Sequence, residues 1–155
     1  MKISDLVRIP ILEVFIGFVI YYVLMQFPEF IKFISSIIFI PEMTWVEYLK
    51  IFGLPFTILT INYKYGDDIL NPSDKENRKI LKEFPSYSML KNRVWYSIIV
   101  SLFVIVGTIY CWYQAMKNSN DIEFYTIIIL VLWSISVMTF LSMARAKLDI
   151  KDILY

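Results

Sequence analysis

The sequence contains no histidine and only one cysteine, Cys111. Together these absences remove an internal disulfide, a Cys/His zinc site, a Cys-His or Ser-His catalytic pair and any imidazole pH sensor. Charge is scarce as well, at 19% of residues, where an ordinary soluble domain carries about 25%. Fifteen basic and fourteen acidic residues leave a net charge of +1, too balanced to imply a nucleic-acid partner. Alanine does not occur before Ala115. The first apolar run, although preceded by Lys2 and Arg8, therefore lacks the small-residue cleavage site of a signal peptide, and residues 9–26 read as a retained anchor.

What is abundant is apolar surface: 58% of the residues are hydrophobic and 17% aromatic. That excess must face lipid, which predicts a single all-α integral membrane domain over residues 1–155. Four spans of about 20 residues each would occupy roughly half the chain and leave no room for a large soluble domain. Ile9 to Phe27 holds one charge, Glu13, and forms the first span (9–27), which Pro28 ends. The segment PEFIKFISSIIFIP is too short to cross. It places Glu29, Lys32 and Ser36 on one face and Phe30, Phe33, Ile34, Ile37 and Ile38 opposite them, as an interfacial helix does.

Thr44 and Glu47 have capping-box spacing and open a second span over 44–63, interrupted by Gly53 and Pro55. Residues 64–93 form the one sizeable polar segment. Ser73 and Glu76 repeat the capping-box spacing there and predict a short helix from Asp74 to Phe84, stopped by Pro85, with Ile80, Leu81 and Phe84 on its apolar side. Spans three (94–116) and four (122–143) carry no charge except Glu123 at an end. A tail, 144–155, follows, mixing Leu148, Ile150, Ile153 and Leu154 with charges; it can dock a cytosolic protein together with the 64–93 loop, or simply continue span four.

Twelve of the fifteen basic residues fall at the N-terminus, in the 64–93 loop or in the tail. The positive-inside rule then places both termini and the loop in the cytoplasm. The count does not distinguish four spans from three. Demoting span two to a re-entrant segment moves Lys2 and Arg8 out, brings Lys32 and Lys50 in, and preserves the ratio. Start signal, length and flanking aromatic residues favour four.

Three features are candidates for function. Ser97, Ser101, Thr108, Cys111 and Ala115 follow one another at steps of 4, 7, 3 and 4, which confines them to one face of span three. Such a stripe packs helix against helix, within or between subunits, or lines a narrow polar path. Glu13 lies about one turn inside span one, where a carboxylate needs a partner; Arg8, Arg93 and Arg145 are the candidates, and an ion or proton role is the alternative to anchoring. Lys75, Arg78, Lys79 and Lys82 cover one side of the short loop helix and can bind anionic lipid headgroups or a cytosolic protein; the bland reading is a solvated connector that enforces topology. Asp67, Asp68 and Asp74 lack EF-hand spacing. No catalytic, cofactor-binding or metal residue is expected.

A short four-span chain with a basic cytosolic loop, NPSDKENRKILKEF, a mixed tail, SMARAKLDIKDILY, and no enzymatic apparatus resembles the membrane subunits of bacterial anti-phage defence systems, the Kiwa KwaA family in particular. The resemblance is one of size and topology over the whole chain and transfers no residue role. It implies a non-enzymatic, homo-oligomeric sensor or scaffold that recruits a cytosolic effector. From the residues alone, a small oligomeric pore or a holin-like permeabilising protein remains open beside that reading.

Overall fold

The structure is a computed structural model that describes residues 3–39, 45–72, 74–83, 85 and 87–154. Thr44 and Ser73, the expected starts of two helices, lie outside them. Every described element is helical: α1 (Ile3–Met25), α2 (Pro28–Ile38), α3 (Trp45–Leu70), α4 (Lys75–Glu83), α5 (Tyr87–Lys117), a single 3-10 turn (Ser119–Asp121) and α6 (Ile122–Leu154).

At about 1.5 Å per residue, α5 with 31 residues and α6 with 33 measure about 46 and 50 Å, well beyond a hydrocarbon core of about 30 Å. Both are long and apolar enough to cross a membrane. A third crossing is available if α1 and α2, bent by 102° at their junction, count as one broken span. The break has a local cause. The amides of Gln26 and Phe27 bond to the carbonyls of Val23 and Leu24, tightening the last turn, and Pro28 restarts the chain as the first residue of α2.

α3 is 26 residues long yet less apolar, and Pro55 sits buried within it without ending the helix. It lies antiparallel along α5. Phe52 meets Trp112 edge to face at 6.0 Å, Asn62 bonds to Ser101, and Gly66 faces Val94. Along α6 it runs parallel, stacking Tyr65 on Phe140 and pairing Asp68 with Lys147. α3 extends to Leu70, α5 starts at Tyr87, and α6 continues through the tail; each passes the expected span boundary on the same side. The tail is an unbroken extension of α6 as far as Leu154.

Two apolar clusters close the ends of the bundle. At the end carrying α4, Ile69, Leu81, Leu90, Val94, Met143 and Ala146 pack together; this is the basic end below. At the far end α2 lies against α6, and Ile38, Phe39, Cys111, Ala115 and Ile129 form the second cluster. α2 shows three faces. Ile31, Ser35 and Ile38 turn to the bundle, Phe30, Phe33 and Ile37 are exposed and apolar, and Glu29 pairs with Lys32 on the third. That division suits a helix lying where bundle, lipid and water meet.

Candidate functional site

Between the two apolar clusters the bundle interior is polar. α1 exposes Leu12, Val14, Phe15, Phe18, Val19 and Tyr22, so the one acid in its apolar stretch faces inward: Glu13 is only 3% exposed. The Tyr96 hydroxyl on α5 donates to the Glu13 carboxylate, Thr139 on α6 reaches it at 3.4 Å with the longer arm of a hydroxyl proton whose shorter bond, 2.9 Å, goes to the Ile135 carbonyl, and Arg93 lies close enough for its charge to act on it. Of the three arginines considered as partners, Arg93 is the one beside Glu13. Arg145 is exposed, and the side chain of Arg8 is outside the described residues. Three helices are joined through one carboxylate.

A second polar junction lies five residues further along α5, about one and a half turns from Tyr96 to Ser101. Asn62, fully buried on α3, donates through Nδ2 to Ser101 Oγ at 3.0 Å, and Ser101 Oγ donates to the Ser97 carbonyl at 2.9 Å. Among the described residues Asn62 Oδ1, Ser97 Oγ, Thr108 Oγ1 and Ser136 Oγ have no hydrogen-bond partner, although all four residues are buried. The five residues of the α5 stripe are all buried inside the protomer. Ser97 and Ser101 lie beside α3, while Cys111 and Ala115 belong to the far cluster. The face that small residues keep open for close packing is thus occupied by helices of the same chain.

The basic end carries the third candidate. Asp74 is the N-cap of α4: its carboxylate accepts the Glu76 amide at 3.0 Å and its carbonyl accepts the Arg78 amide. The expected capping role of Ser73 thus has an observed provider one residue later, and the described helix runs Lys75–Glu83, with Phe84, the expected end, outside the described residues. Asn77 and Leu81 are buried against the bundle, whereas Arg78, Lys79 and Lys82 are exposed; the side chain of Lys75 is outside the described residues. Ile80, expected on the apolar side, is 51% exposed beside this basic face. The three aspartates of the loop have separate tasks. Asp67 accepts from Asn71, Asp68 pairs with Lys147, and Asp74 caps α4. Among the described residues no three or more acidic or thiol groups come together as metal ligands.

Reading the sequence missed four members of the interior. Asn62 was passed over although a lone carboxamide among Ile58, Leu59, Ile61 and Tyr63 is costly in lipid unless it is bonded. Tyr96, near the start of span three, has in sequence only the place of an interfacial aromatic. Ser136 and Thr139, three apart on one side of α6, were the available sign that this helix too has a polar face. No protein-family model matches the chain, and neither the curated proteins nor the solved structures show a significant similarity to it.

Proposed function

We propose that the protein is a non-enzymatic four-span membrane scaffold or sensor, assembled from several copies, that presents α4 to a cytosolic partner. One observation carries this reading. The basic helix is not a loose connector but part of a packed head, with Leu81 in the same apolar cluster as residues of α3, α5 and α6, while Arg78, Lys79 and Lys82 point away from it. Charge held on a fixed surface loses less entropy on binding than charge on a flexible loop. The four-span topology draws support from the register of α3, which runs beside α5 from Phe52 to Gly66 and so passes the depth of Ser101. The positive-inside rule orients the head and both termini to the cytoplasm of a bacterial inner membrane, and the resemblance to anti-phage membrane subunits suggests infection as the trigger.

The test exchanges Lys75, Lys79 and Lys82 for Gln, leaving Lys64, Arg78, Lys91 and Arg93 to hold the topology. The variant is expected to insert and assemble normally, to lose its cytosolic partner in mild-detergent co-purification, and to lose activity in cells. Undiminished capture of the same partner would end the recruitment reading. Reporters fused at the N-terminus, near Ser73 and at the C-terminus are each expected on the cytoplasmic side.

A second reading is favoured by the unpartnered oxygens of Asn62, Ser97, Thr108 and Ser136. All four residues are buried inside the bundle, and such oxygens suit a narrow path for ions or protons through the protomer. Ion flux from wild-type protein reconstituted alone into liposomes would favour that reading over recruitment.

A further inference from the structure

The four glycines differ in what occupies the space beside them. A Cβ on Gly17 would lie 3.1 Å from Ile135 Cδ1, one on Gly107 3.0 Å from Leu132 Cδ1, and one on Gly66 2.5 Å from Val94 Cγ1. Each therefore marks a place where a side chain of another helix enters. Among the described residues a Cβ on Gly53 would meet nothing within 4 Å. Glycine inside a helix is less favourable than alanine, and at Gly53 no contact among the described residues offsets it.

Gly53 lies on the outward side of α3, on the same face as Phe56, Thr57, Thr60, Tyr63, Lys64 and Asp67, and these six are exposed. The described outward faces of α1 and α5 are of a different kind. α1 shows Phe15, Phe18 and Tyr22 to its surroundings, and α5 shows Phe103, Val106 and Ile109. The α3 face combines a gap beside a glycine, hydroxyls and, one turn apart toward the basic end, a cation and an anion. Two such faces brought together around a two-fold axis place Lys64 of one copy near Asp67 of the other and repeat the contact in reverse. The face is complementary to itself.

We propose that the outward face of α3 is the interface between two copies of the chain, paired in parallel, with Gly53 admitting the partner's helix. This rests on the reading of α3 as a span and of the chain as a homo-oligomer.

The experiment uses the full chain in native membranes with Cys111→Ala as background. Thr57→Cys and Thr60→Cys are oxidised with copper phenanthroline beside Phe18→Cys and Phe103→Cys, which sit on the outward faces of α1 and α5. The two α3 variants are expected to form disulfide-linked dimers at least several-fold more than the two controls, and Gly53→Leu to reduce that yield several-fold. Equal yields at all four positions, or an adduct with a different protein in place of the dimer, overturn the proposal. Impermeant maleimide labelling of Glu47→Cys and Lys64→Cys separates the interface from the topology beneath it. Labelling from opposite sides together with no cross-link overturns the interface alone; labelling from one side overturns the span, and the interface with it.

Discussion

The protein concentrates polar side chains in two places and treats them in opposite ways. In the interior, Glu13, Asn62 and Ser101 are buried and bonded across helices. On α4, Arg78, Lys79 and Lys82 are exposed, and no ion pair within the protomer joins them among the described residues. A polar group removed from water costs free energy unless it is bonded, so the interior groups chiefly hold helices in position. An exposed charge costs little and keeps its capacity for a partner. The difference predicts that interior substitutions damage assembly of the protomer and α4 substitutions damage recruitment, with little exchange between the two effects.

The largest expected loss is at Glu13. Replacing it with Ala removes the acceptor for Tyr96 and Thr139 and takes the counter-charge from Arg93, and breaking a buried charged contact of this kind costs on the order of 3 kcal/mol. Denaturation in detergent micelles measures it, and Glu13→Gln, which keeps an acceptor oxygen, is expected to lose less. Gly66→Ala comes next. Its new Cβ would press on Val94 Cγ1, and overpacking costs about 1 to 3 kcal/mol; Gly53→Ala, with open space, is expected to leave protomer stability unchanged or slightly raised. Asn62→Ala removes the bond to Ser101, and interhelical hydrogen bonds in membranes average about 0.6 kcal/mol, so a shift of about 1 kcal/mol is expected once lost packing is included. The smallest effect belongs to the exposed face: Lys79→Gln with Lys82→Gln is expected to stay within about 0.5 kcal/mol of wild type in the same assay.

How far the architecture could be read from the chain depended on whether a helix shows one chemistry or two. α5 and α6 were legible because their apolar runs are long and unbroken, and the α5 stripe because its spacing fixes one face whatever lies opposite. α3 was read only to residue 63. Its final turns, through Lys64, Asp67 and Asp68, carry charge of the kind that marks a loop, yet the helix continues because Ile69 joins the cluster at the basic end and Lys147 of α6 pairs with Asp68. For α4, local signals gave the position, while the place of Leu81 in one apolar cluster with residues of α3, α5 and α6 had no local signature. Glu13 was visible as a lone acid, but its partners Tyr96 and Thr139 lie 83 and 126 positions away and belong to helices whose rotation the sequence leaves open.

Recruitment by the exposed charge of α4 is measured by equilibrium binding of the recovered cytosolic partner to the protein in neutral-lipid nanodiscs. With no anionic lipid present, binding is predicted to weaken steeply as salt is raised toward about 1 M, where the Debye length falls to about 3 Å. It is also predicted to be lost when Lys75, Lys79 and Lys82 are replaced by Gln. Affinity indifferent to salt and unchanged in the triple variant would contradict the account.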